Sequence, residues 1–215
     1  MIALLEGSPL EQLLIYNNLG VEYFIRQDFE NAFENYFAAY TIITQNNITI
    51  NNTNAGILLN LISAAVSIHK YQAAIDIYLA HKDSLSTQTK FIHNLERIIA
   101  IAYLSIGAFE KAFEFMPPNI NERGKNEYYY YRAIYALGYL LNSEFDLAMR
   151  EAENAYRALK AKPFENGDFE KLFLGIKHLI NFKLAKTNKK DQILAYLDQE
   201  NNIGFHIKSL INSIL

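Results

Sequence analysis

The side chains in this sequence that could do acid–base or metal chemistry are five histidines and a dispersed set of carboxylates. An imidazole serves as ligand or base in company: two histidines one helical turn apart, as in HExxH, or one histidine held against a nucleophile. His69, His81, His93, His178 and His206 fall on different expected helices or at their ends, with no HExxH and no pair at one turn. Such spacing suits surface or half-buried imidazoles. Glu110, Glu144 and Asp146 stand in or beside polar joints between helices, where capping and solvation account for a carboxylate. The sequence contains no Gly-rich phosphate loop, no GxSxG elbow and no EF-hand series of acids. With no cysteine, disulfides, thiolate metal sites and cysteine nucleophiles are excluded. The expectation is a protein with no catalytic site, no metal and no cofactor.

Binding is the alternative, and charge narrows the partner. Against 20 Lys and Arg stand 23 Asp and Glu, a net charge of −3, and the basic residues form no stripe. Direct binding of nucleic acid through phosphate neutralisation is therefore not expected. No apolar run approaches the ~18 residues of a membrane span, and the opening MIALLEGSPLEQ has no basic n-region and carries Glu6 after a short apolar stretch. Neither membrane insertion nor export is expected, and the cytoplasm is the expected location. The sequon Asn47-Ile48-Thr49 is then read as a coincidence. Hydrophobic residues reach 51%, yet only 9 Gly and 4 Pro are available as turn formers, too few for the hairpins of an all-β domain. Helices with short joints fit better.

Those helices recur. In YNNLGVEYFIRQDFENAFENYFAAYTI, large apolar residues return mostly every three or four positions, which is helical spacing. The polar joint Arg26-Gln27-Asp28 separates two helices, with Asp28 placed to cap the second. Gly20 and Ala32 put small residues on the two neighbouring helices, which lets antiparallel backbones approach closely. The first helix carries Tyr16, Leu19-Gly20 and Tyr23, and the second Phe29, Ala32, Tyr36 and Ala39. This arrangement resembles the tetratricopeptide repeat family, whose helix pairs carry an aromatic, Leu-Gly and Tyr, then an aromatic, Ala, an aromatic and Ala. The second-helix signature returns as Tyr71 with Ala74, Phe109 with Ala112, and Phe145 with Ala148. Each interval slightly exceeds the ~34 residues of the basic unit. The extra residues fall in QNNITINNTN, around LSTQ and in PPNINERG, joints where solvent can take them. The later first helices depart from the pattern, with Ile62, Ala100 and Ala136 in place of Gly20, and Leu58, Glu96 and Arg132 in place of Tyr16.

The resemblance implies an all-α, right-handed α-α superhelix of about four to five helix pairs over 1–215 as a single domain. Four recognisable repeats run from 13 to 159, a divergent fifth pair from 163 to 200, and the amphipathic stretch 203–214 serves as a capping helix. It also implies that the first helix of each pair lines a concave groove. By register, the inward positions are Leu14, Asn17, Val21 and Phe24; then Leu59, Ser63 and Val66; then Asn94, Arg97, Ile101 and Leu104; then Tyr130, Ala133, Leu137 and Leu140. The divergent pair adds His178 and Phe182.

Two arrangements satisfy such a lining. In one, an apolar groove receives side chains of a peptide or helix while Asn17, Asn60 and Asn94 pair with its backbone, since an amide both donates and accepts. In the other, a tightly wound stack packs these residues on each other. The groove is favoured, because a continuous exposed apolar strip is rare unless it meets something. The clamp by which some members of the family hold a C-terminal carboxylate is not expected, with Asn17 and Val21 where Lys and Asn would stand. The run Tyr128 to Tyr131 puts aromatics on every side of one helix, so that some are core and others candidates for contact. The expected function is a protein-interaction module or adaptor for a protein or peptide partner. A second expectation is the ligand-sensing half of a bacterial peptide-responsive regulator.

Overall fold

The computed structural model describes residues 8–51, 54–86, 89–116, 125–161, 167–185 and 205–214, and every regular element among them is an α-helix. Packing divides the chain into two compact units, Met1–Ala102 and Tyr103–Leu215, where the sequence reads as one continuous domain. The first unit holds α1 (Pro9–Ile25), α2 (Phe29–Gln45), α3 (Ala55–Ser67), α4 (Tyr71–Ser86) and most of α5 (Thr89–Ser105). The second holds the end of α5, then α6 (Phe109–Glu114), α7 (Lys125–Leu141), α8 (Phe145–Ala161), α9 (Gly167–Ala185) and α10 (Phe205–Ile214).

The first helix starts on a reciprocal cap. Glu11 N–H donates to Ser8 Oγ, Ser8 N–H donates to the Glu11 carboxylate at 2.8 Å, and Pro9 takes the first turn, where its missing N–H costs nothing. At the start of α2, Asp28 accepts from Asn31 N–H at 3.2 Å, as its place in the joint implies.

One turn joins four pairs of helices. Gln27, His69, Gly107 and Ser143, each two residues before the aromatic that opens the next helix, have φ of +63°, +61°, +75° and +62°. At each, the next residue's N–H reaches back to a carbonyl of the preceding helix: Asp28 to Tyr23, Lys70 to Ala65, Ala108 to Tyr103 and Glu144 to Tyr139, at 2.8–3.0 Å. The left-handed residue's own N–H bonds Phe24, Val66, Leu104 or Leu140 at 3.0–3.1 Å. This is the double bond of a Schellman cap, which satisfies the last carbonyls of a helix and reverses the chain. Only one of the four positions is glycine.

Close packing completes each reversal. Ala32, Ala74, Ala112 and Ala148 are all fully buried. A Cβ on Gly20 would stand 2.5 Å from the Tyr36 ring, so α1 and α2 meet at a distance only glycine allows. Packing then repeats in kind: α1 meets α2 and α3, and α2 meets α3; α7 meets α8 and α9, and α8 meets α9. In the first unit Tyr40 Oη of α2 lies 3.0 Å from His81 Nε2 of α4, and burial holds that imidazole below its ordinary range. In the second, Arg132 of α7, at the place of Tyr16, pairs with Glu151 of α8 and lies over the Tyr128 ring. An ion pair there does the helix-joining work of an aromatic. Lys160 with Glu170, and Lys177 with Glu153, tie α8 to α9.

One expectation about the joints changes. In QNNITINNTN, Ile48 and Ile50 pack on the core of Leu13, Ala39, Ile42, Ile43 and Ile57. The buried Asn54 side chain donates to Thr49 C=O at 2.9 Å and accepts from Asn51 N–H at 2.8 Å. The insertion is therefore partly core, because apolar β-branched side chains within it find a buried surface. The helix after Phe109 is only 6 residues long. Pro117 excludes the residue before it from helical geometry and, like Pro118, supplies no N–H to an earlier carbonyl. PPNINERG itself and the second helix of the expected fifth pair lie outside the described residues.

If the left-handed turn governs the hairpin, Ser143→Gly raises stability in urea unfolding by about 0.5–1 kcal/mol, the relief of a left-handed side chain less the entropy of a freer unfolded glycine. Gly107→Ala, with nothing within 4 Å of the added Cβ, lowers it by about 1 kcal/mol. Equal stability in all three proteins would contradict the turn assignment.

Candidate functional site

The first unit carries the open part of the expected lining. On α1, Leu10, Leu14, Asn17, Val21 and Phe24 follow one another at helical spacing along one side. Leu10 and Leu14 are 61% and 53% exposed, and Asn17, Val21 and Phe24 are half-buried. Ile15, Leu19 and Ile25 of the same helix are also exposed, so α1 carries more exposed large apolar side chains than any other described helix. Phe24 is steadied by an edge-on contact with Phe29 at 5.1 Å.

From α3, half-buried Leu59, Asn60 and Ser63 join this stripe. Asn60 Nδ2 donates to Asn17 Oδ1 at 3.2 Å, linking the two helices. The register places Leu59 opposite Asn17, whereas the structure brings Asn60 there. Pairing in this sense leaves the donor NH2 of Asn17 and the acceptor carbonyl of Asn60 for another chain. On α5, Asn94 is exposed and accepts from half-buried Arg97, while His93 lies 3.4 Å from Glu96.

Other expected lining residues are not at a surface. Ile101 is 3% exposed, Ala133 and Leu137 are fully buried, and Val66, Leu104 and Leu140 are buried as well. These six are core side chains, and the reading of them as an open wall is corrected. In the second unit the reason is that α7 is enclosed. Helices α8, α9 and α10 all pack on it, and Gly138 faces Leu104 and Phe113 closely. Tyr130 is half-buried, its ring edge-on to Phe169 at 5.1 Å. Of its neighbours, Tyr131 is fully buried, Tyr129 packs against Phe169 and Phe173, and Tyr128 is half-buried beside Arg132. Two of the four tyrosines are thus core and two are half-buried. On α9, His178 is exposed and Phe182 half-buried.

Among the described residues no three His, Asp or Glu side chains are grouped to hold a metal ion, and no helix is long and apolar enough to cross a membrane. What the α1–α3 face offers chemically is apolar contact flanked by amide hydrogen bonds. Sequence reasoning passed over Leu10, whose signal was its place one turn before Leu14. No family model, curated protein or solved structure matches the chain.

Exposure at one expected lining position, Leu14, and burial at another, Leu137, make a sharp contrast. Leu14→Asp should change unfolding free energy by no more than about 0.5 kcal/mol. Leu137→Asp, an unpaired buried charge, should cost roughly 3–5 kcal/mol. Denaturant unfolding of the two variants measures both.

Proposed function

We propose that this chain is a tetratricopeptide-type repeat protein that works as a protein-interaction module, taking a peptide or helix of a partner polypeptide on the α1–α3 face. The observation that carries the reading is the uncovered apolar stripe of α1 beside the Asn17–Asn60 pair. Apolar side chains of a guest gain by covering Leu10, Leu14 and Val21, and each such contact removes surface from water at about 25 cal/mol per Å². The amide pair suits a polypeptide backbone, which also offers donors and acceptors along its length. Absence of a basic stripe argues against a phosphate-rich partner. The four matching turns and the buried alanines support the family resemblance.

Affinity capture from extracts of the source cell, followed by mass spectrometry, tests this. Wild type and a Leu79→Asp control, altered at an exposed leucine on α4, should retain a common partner, whereas Leu14→Asp and Val21→Asp should lose it at least tenfold. Equal recovery by all four proteins would remove the α1–α3 face as the binding site.

A further inference from the structure

Within the second unit α10 packs on α7, the first helix of its pair, and its Ile207, Leu210, Ile211 and Ile214 are buried. These four lie at i, i+3, i+4 and i+7, one apolar side of a helix. A helix of 10 residues is marginal in water by itself, so α10 owes its structure to the surface it lies on. The corresponding register on α1 is open at Leu14 and half-open at Asn17, Val21 and Phe24, while on α7 Ala133, Leu137 and Leu140 are buried. The two faces share register and differ in cover.

We infer that α10 is a built-in occupant of the α7 face, standing where a partner helix would bind, and that the guest this face accepts is an amphipathic helix with aliphatic residues at α10's spacing. The inference rests on the reading of first helices as the binding side of each pair. On α7 the small, buried Ala133 stands between Tyr130, whose ring also meets Phe169 of α9, and buried Leu137, a spacing that suits a ridge of Ile and Leu side chains. A covalently tethered helix acts at an effective concentration on the order of millimolar. An outside helix therefore gains this face only when α10 is released or outcompeted, so the second unit is self-blocked while α1 and α3 stay open.

The test uses the full chain, its Leu210→Asp/Ile211→Asp variant, and a fluorescein-labelled peptide of residues 203–215 as probe. In the variant, hydrogen exchange should become fast over 205–214 while α7, α8 and α9 stay protected. The probe should bind the variant at least tenfold more tightly than wild type, and a probe carrying the same two aspartates should bind neither. Loss of protection in α7–α9 together with α10 would overturn the inference, because α10 would then be an integral part of the core. Equal binding to both chains, or no binding to the variant up to about 1 mM, the tether's own concentration scale, would overturn it as well. Each of these results concerns the second unit alone, and partner capture through α1 and α3 stands or falls separately.

Discussion

A single residue in left-handed backbone, followed by an aromatic and a buried alanine, is the constraint on which each hairpin depends. Gln27, His69, Gly107 and Ser143 end one helix and aim the next back along it. A left-handed non-glycine residue costs about 1–2 kcal/mol. Three of these four turns bear that cost and keep the same geometry, because two backbone hydrogen bonds and the packing beyond them outweigh it. His69 shows one local compensation, its Nδ1 lying 2.6 Å from the Tyr71 hydroxyl. Once the direction is set, small residues decide how near the helices lie, as Gly20 against the Tyr36 ring shows.

Much of this was legible from spacing. Alanine three residues after an aromatic marked every second helix, and each such alanine proved fully buried. Local patterns carry that information because the two helices of a pair are neighbours in sequence. The turns were visible only as polar joints, since Gln, His and Ser do not advertise a left-handed conformation as glycine does. Arg132 departs from the repeat in sequence, and its partner Glu151 stands across the pair. The ion pair needs both residues to be intelligible, and they stand a helix apart.

The candidate surface was legible by half. Leu14, Asn17, Val21, Phe24, Leu59, Asn60 and Ser63 stand at a surface, whereas Ile101, Ala133 and Leu137 do not. An apolar side chain at a given register reads the same whether it awaits a guest or already has a neighbour. For α7 the neighbours include α10, a segment far along the chain whose docking no local pattern reports. The same limit explains Ile48 and Ile50, which lie in a polar loop by composition and in the core by contact.

Interaction through the open face of the first unit is the central claim, and hydroxyl-radical footprinting of the chain with its captured partner tests it most directly. In the complex, Leu14, Val21, Phe24 and Leu59 should become protected from oxidation while Phe37 and Leu79 react as before. Protection of Phe37 or Leu79 with unchanged reactivity at Leu14 and Val21 would contradict it.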